Sequence, residues 1–279
     1  MREIDVARVE DTVYALFMNA CCEIGEDVLD CLREGLKKEE SPFGCEVLRQ
    51  LIDNDLLAKE RRMPICQDTG MAVIFMDVGQ EVHFIGGDIN EAIERGVRRA
   101  YKDGCFRASV LTPLTRVNTK DNTPAVVHMR LVPGEHVTLT AAPKGFGSEN
   151  MSRLWMLTPS QGIEGVKDAV VETVRLAGGN PCPPVVVGVG IGGTAERAMQ
   201  MAKHSLTRDC GTPSDDPMLA EMECELLECI NNLGIGPQGL GGRTTALAVH
   251  IEQMPTHIAG LPVAVNMQCH AARHKTAVI

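Results

Sequence analysis

The chain has 279 residues, 44% of them hydrophobic and 23% charged. A chain of that size and balance buries a substantial core, which excludes disorder as its general state. Its net charge of −10 repels phosphate backbones and anionic lipid, so nucleic-acid and membrane-surface roles are excluded and any anionic ligand needs a local positive pocket.

Aromatic residues make up only 3% of the chain, so the expected core is aliphatic. The N-terminus is charged from its second residue and has no apolar leader, and no run approaches the ~20 apolar residues of a membrane span. A protein that stays in the cytoplasm is expected. Residues 1–60 read as helical: Val6, Val9, Val13, Leu16 and Phe17 share one helical face, and Ile24, Val28, Leu29 and Leu32 repeat the pattern. A third helix is predicted from Ser41 to Lys59, with Ser41-Pro42 as cap and first turn.

The texture then changes. Residues 71–79 read as a strand and 90–104 as a helix stopped by Gly104. Residues 125–131 and 136–142 are predicted to form a hairpin joined by Pro133-Gly134. A helix over 163–177, a buried strand over 184–189 and a helix over 194–206 follow. The polar stretch 207–217 is the best internal subdomain border. A helix over 217–232 and strands over 244–251 and 262–266 complete the chain. The predicted class is α/β: a helical N-terminal segment, then mixed β-sheets flanked by helices, in two subdomains.

Eleven cysteines stand out. The number is odd and no export signal is present, which points to free thiols rather than a disulfide framework. Cys21, Cys22, Cys31, Cys45, Cys224 and Cys229 fall in helical stretches and are expected to pack. Cys66, Cys182 and Cys269 lie in loops, with Cys105 and Cys210 as loop-borne rivals. No Cys-x-x-Cys occurs, which disfavours zinc fingers and ferredoxin-type clusters. Three thiolates from remote loops suit a cluster with one uncoordinated iron; ordinary packing is the alternative.

Four loops carry the remaining signals. Residues 64–70, PICQDTG, gather Cys66, Gln67, Asp68 and Thr69 at the entry to a strand, where ligand groups collect; a simple turn at Asp68-Thr69-Gly70 would explain three of them. Residues 144–150, KGFGSEN, suit a loop that wraps a carboxylate or phosphate, or a tight turn capped by Ser148. Residues 180–184, NPCPP, stiffen Cys182 with prolines. Residues 188–193 match GxGxxG after a strand and before a helix, but no second parallel strand follows promptly. Close backbone approach or an anion nest are the alternatives there.

Taken together, PICQDTG (64–70), KGFGSENMS (144–152), NPCPPVVVGVGIGGT (180–194) and GIGPQGLGG (234–242) resemble the α subunit of class I, iron–sulfur-dependent hydro-lyases. These are the two-subunit fumarate hydratases and L(+)-tartrate dehydratases, and the resemblance covers nearly the whole chain as one domain, 1–279. It implies a [4Fe–4S] cluster held by Cys66, Cys182 and Cys269, whose unligated iron binds substrate oxygens. It implies Asp68 as the catalytic acid and Gln67, Arg107 and Gly147 as substrate contacts. It further implies a separate β subunit that completes the site, a small dicarboxylate substrate and an α2β2 assembly. Hydration of fumarate to (S)-malate, a tricarboxylic acid cycle reaction, is the first expectation; tartrate dehydration and mesaconate hydration are its rivals. A non-catalytic iron–sulfur sensor of dicarboxylates, or a nucleotide-binding protein using the 188–193 glycines, would be the readings outside this chemistry.

Overall fold

The computed structural model describes residues 1–279. Its first half runs β1 (Arg2–Asp5), α1 (Val6–Cys22), α2 (Glu26–Lys38), α3 (Pro42–Arg61), β2 (Met71–Gly79), β3 (Val82–Ile85), α4 (Ile89–Asp103), β4 (Val126–Val132) and β5 (Val137–Lys144). Its second half runs α5 (Phe146–Glu149), β6 (Arg153–Leu157), α6 (Gly162–Ala177), β7 (Val185–Gly192), α7 (Ala195–Ser205), α8 (Pro217–Asn231), β8 (Ala246–Met254), β9 (Leu261–Gln268) and β10 (Lys275–Val278). The fold is α/β with mixed sheets flanked by helices. The chain divides into two compact units, one of Met1–Ile24, Asp55–Phe146 and Arg273–Ile279, the other of Gly25–Asn54 and Gly147–Ala272. Residues 207–217 lie inside the second unit.

The first unit is built on a four-stranded sheet of order β10-β5-β2-β4. Its strand β5 reads VTLTAAPK and alternates buried and half-buried residues along most of its length, so one sheet face is the main core face. That face receives α1 and α4, with Val9, Val13, Phe17, Ile93 and Val97 packed on Ile74, Met76 and Leu139. The helices begin where acidic caps allow: the Asp5 carboxylate accepts the Ala7 N–H at 2.9 Å, and Asp88 accepts those of Asn90 and Glu91. A small parallel pair, β1 with β3, lies beside this sheet in the same unit.

The predicted hairpin does not form. Strands β4 and β5 form close to the expected positions, but β2 lies between them, parallel to β4 and antiparallel to β5. The run MAVIFMDVG is buried nearly throughout, so its backbone polar groups need a partner on each side. The 133–136 connection passes over the end of β2. There Gly79, Gln80 and Glu81 donate N–H bonds of 2.8, 2.9 and 3.1 Å to the carbonyls of His136, Val132 and Gly134. The short strands β1, β3, β6 and β10 were not foreseen. None exceeds five residues, too few to display a hydrophobic period.

The second unit holds a sheet of order β6-β9-β7-β8. Strands β7 and β9 are buried almost continuously, because both faces are covered. Val185, Val187 and Val189 meet α6 and α8 on one face. On the other, Gly188 and Gly190 leave room for α7: a Cβ at either would lie 2.0 or 2.1 Å from the carbonyl oxygens of Ala202 or Ala198. The GxGxxG stretch therefore has a packing role. Its first two glycines let a helix settle directly on a strand, with Ala198 and Ala202 against Ala264 of the neighbouring strand.

Candidate active site

In the first unit the segment 64–70 crosses from α3 to β2 and is held by its backbone. Ile65 donates to the Cys21 carbonyl at 3.0 Å. The Cys66 sulfur accepts the Asp68 N–H at 3.4 Å, so thiol and carboxylate are joined in one turn. Asp68 Oδ1 accepts the Gly70 N–H at 3.0 Å, and its Oδ2 accepts the Phe146 N–H at 2.9 Å. The second bond brings the end of the Lys144-Gly145-Phe146 loop to Asp68. Gly70 has φ +81°, and a Cβ there would meet Lys144 backbone atoms at 2.8 Å. Only glycine suits both demands.

Beneath this turn lies a polar anchor that sequence reasoning missed. Thr69 is 2% exposed, and its Oγ1 accepts the Arg107 N–H at 2.9 Å. The exposed Arg107 is thus tied through its backbone to the residue beside Asp68. The Tyr101 hydroxyl lies 3.0 Å from the Thr69 carbonyl and 2.9 Å from that of Gly70. Asn122 is wholly buried; its amide donates to the Gly70 carbonyl at 3.1 Å, while its Oδ1 accepts from Ser109 and Val110 at 2.8 and 3.2 Å. The Arg273 guanidinium, also buried, donates to the Asp68 carbonyl. Burial pushes the Tyr101 hydroxyl well above its ordinary range and the Cys21 thiol up to about 12, so both stay protonated under the loop. One sequence signal was available for Arg273: it stands in a basic run, Arg273-His274-Lys275, of an otherwise acidic chain.

In the second unit, sheet register explains the placement of Cys182 and Cys269. Val186 of β7 faces Gln268 of the antiparallel β9, so the residues preceding β7 and following β9 emerge at the same sheet end. The His270 N–H accordingly reaches the Cys182 carbonyl at 3.3 Å. Cys182 is exposed, Cys269 half-buried. Cys182 has φ +56° and donates its N–H to Gly179 at 3.1 Å. The following Pro183 carbonyl receives both the backbone and side-chain N–H groups of Gln238, at 2.7 and 2.9 Å. Gln238 lies in the glycine-rich 234–242 segment, which ends at a further anchor: the Glu39 carboxylate accepts the N–H groups of Arg243 and Thr244. Gly147 is exposed, and a side chain there would touch the Asn180 carbonyl at 3.8 Å. Beside it, Glu149 of α5 is bound by Lys203 and by Asn266, the latter at 3.1 Å.

The structure therefore gathers Cys66, Gln67, Asp68 and Arg107 in one unit and Gly147, Cys182 and Cys269 in the other. No three His, Cys, Asp or Glu side chains form a metal-holding group. None of the eleven cysteines is in a disulfide. Cys21, Cys22 and Cys210 are packed, whereas Cys224 and Cys229 are exposed, contrary to expectation. α8 buries Leu219, Met222, Leu226 and Ile230; helical phase puts position 224 on the opposite side, and position 229 at the margin of that face, next to Met222. No helix is long and apolar enough to cross a membrane.

The family described as Fumarate hydratase (Fumerase) matches residues 10–278. The putative L(+)-tartrate dehydratase subunit alpha of Methanocaldococcus jannaschii is 44% identical over 272 residues, covering 95% of each chain. The L(+)-tartrate dehydratase subunit alpha of Escherichia coli strain K12 is 33% identical over 258 residues, covering 91% of this chain and 85% of that relative.

Proposed function

The chain belongs to the fumarate hydratase and L(+)-tartrate dehydratase α-subunit family, and from that premise we propose that it is the α subunit of a hydro-lyase that adds or removes water at a small dicarboxylate. Fumarate with (S)-malate, a tricarboxylic acid cycle pair converted in the cytoplasm, is the first reading. The names of the relatives favour L(+)-tartrate as the second. One observation carries the reading: a thiol, a carboxylate and the backbone of an arginine are fastened around the buried Thr69.

A [4Fe–4S] cluster is the cofactor this family implies, and Cys66, Cys182 and Cys269 suit it. None is in a disulfide or fully buried, and each sits in a loop next to a strand or helix end. Thiolates of this kind are the donors such a cluster takes. When bound, the cluster would supply an iron that acts as a Lewis acid toward a substrate oxygen. The remaining roles fall to the chain itself. Arg107 presents a planar cation to a substrate carboxylate in an otherwise acidic protein. Gln67, exposed beside Cys66, donates from its amide, and Gly147 offers backbone. Asp68 holds the proton that departs with or returns from the hydroxyl. Each of its oxygens is steadied by one backbone N–H and keeps lone-pair capacity for that proton. A separate β subunit completes the site, which the relatives' naming as α subunits supports; an α2β2 assembly is the arrangement the family resemblance implies.

The test is anaerobic and uses the chain together with its partner subunit. Iron, sulfide and visible absorption are measured for the wild type and for Cys66→Ser, followed by turnover of fumarate, (S)-malate and L(+)-tartrate. About four irons per α chain, with the absorption lost in the variant, is the expected result. No iron after reconstitution overturns the cluster reading. Turnover of tartrate without turnover of malate replaces the first substrate with the second.

A further inference from the structure

Two thiols outside these loops meet within the second unit. Cys31 stands on α2 and Cys210 in the segment between α7 and α8, and the Cys31 sulfur lies against the turn that carries Cys210. The contact is built from both sides. Asp27 precedes Cys31 by one helical turn on the same face of α2, and its carboxylate accepts the Cys210 N–H at 2.7 Å. The Thr212 N–H returns to the Asp209 carbonyl at 3.1 Å, so residues 209–212 form a tight turn against the helix. A Cβ on Gly211 would lie 3.3 Å from the Cys31 sulfur, which puts that sulfur directly over the turn.

The two sulfurs differ in access and in character. Cys210 is 8% exposed, whereas Cys31 is half-buried. The neighbouring Cys210 thiol lowers the Cys31 thiol below its ordinary value, against burial and the charges of Asp27 and Asp30. The neighbouring Cys31, with burial, raises Cys210. The reachable sulfur is thus the more nucleophilic one, and the enclosed sulfur keeps its proton.

We propose that Cys31 and Cys210 form a modification site, a dithiol that hydrogen peroxide converts to an intramolecular disulfide. The Cys31 thiolate attacks one peroxide oxygen; the O–O bond breaks, the other oxygen leaves as water after protonation, and Cys31 becomes a sulfenic acid. The Cys210 sulfur then attacks the Cys31 sulfur. The S–O bond breaks, and a second water leaves with the Cys210 proton. Two thiols lose two electrons and two protons, and the peroxide is reduced to two waters. The new bond ties α2 to the α7–α8 segment. This site is independent of the hydro-lyase reading and contains none of the residues assigned to it.

The full chain, purified under reducing conditions, is dosed with hydrogen peroxide, quenched by alkylation and digested without reduction. The expected product is a peptide pair joining Cys31 to Cys210, lacking two hydrogens and released by dithiothreitol. It should form while the exposed Cys105 still takes the alkylating label, and Cys31→Ser or Cys210→Ser should abolish it. The proposal is overturned if Cys105, Cys224 and Cys229 oxidise while Cys31 and Cys210 both remain alkylated. It is equally overturned if Cys31 passes to sulfinic acid with Cys210 still labelled, or if either thiol cross-links elsewhere.

Discussion

The two units hold their loops by different means. In the first, the Cys66–Gly70 turn is fastened by side chains beneath it: Thr69, Tyr101, Asn122 and Arg273 each bond a backbone group of that turn or of Arg107. In the second, Cys182 and Cys269 are neighbours because β7 and β9 are paired in a register that ends both strands at one place. The sheets differ accordingly. One alternates buried and half-buried residues along β5, and the other is buried through on both faces of β7 and β9. The turn before β2 is thus held mainly by side chains from remote elements, whereas Cys182 and Cys269 share a position set by the ladder, with Gln238 fastening Pro183 beside it.

The largest effect should come from the first unit's carboxylate. Asp68→Asn is expected to lower turnover by about 10²–10⁴-fold, the usual range for loss of a general acid, while iron content and visible absorption stay unchanged. Activity that survives would remove Asp68 from its proposed role. Next, Asn122→Ala orphans the N–H groups of Ser109 and Val110 and leaves the Gly70 carbonyl to the Tyr101 hydroxyl alone. At about 1–3 kcal/mol per orphaned buried group, a loss of about 2 kcal/mol or more is expected in denaturant titration. Near-neutral behaviour would mean that the anchors do not hold the turn.

In the second unit the damaging change is steric. Gly190→Ala drives a methyl toward the Ala198 carbonyl, 2.1 Å away, and should cost about 1–3 kcal/mol by forcing α7 off β7. Thermal unfolding checks it, and an unchanged midpoint would break the contrast between the units. The smallest effect is electrostatic. Burial opposes ionisation of Asp121, yet the Arg98 guanidinium and the Thr123 hydroxyl and N–H outweigh it and hold the carboxyl at about 2. A depressed carboxylate stabilises the fold above its unfolded value near 3.9 and loses that contribution as the pH falls toward 2. Because Asp121 and Arg98 are partly exposed, screening keeps the effect below about 1 kcal/mol. Acid unfolding of Asp121→Asn compared with wild type reads it, and identical acid limbs would remove the pair from the account.

Much of the fold was readable from residue pattern. The helical faces of α1 and α2, the strands β2, β7 and β9, and the Ser41 cap, which accepts the Gly44 N–H at 3.1 Å, follow from periodicity and local chemistry. The family was readable too, because its loops carry specific residue strings. Pairing was not: 125–131 and 136–142 suit a hairpin locally, and only burial of β2 on both flanks decides that it separates them. Nor did the chain order announce that Asn122, Tyr101 and Arg273 serve the 64–70 turn, since they lie at remote positions joined only in the folded unit.

The amino-acid sequence by itself determined the aliphatic core, the α/β class, the family and the residue types offered at each loop. Tertiary structure alone decided which strands are neighbours, which cysteines are packed or exposed, and which polar side chains lie beneath Asp68. The physical reason is range. Periodicity, capping and turn chemistry act over a few residues, whereas ladder register and the satisfaction of buried polar groups join positions far apart in the chain.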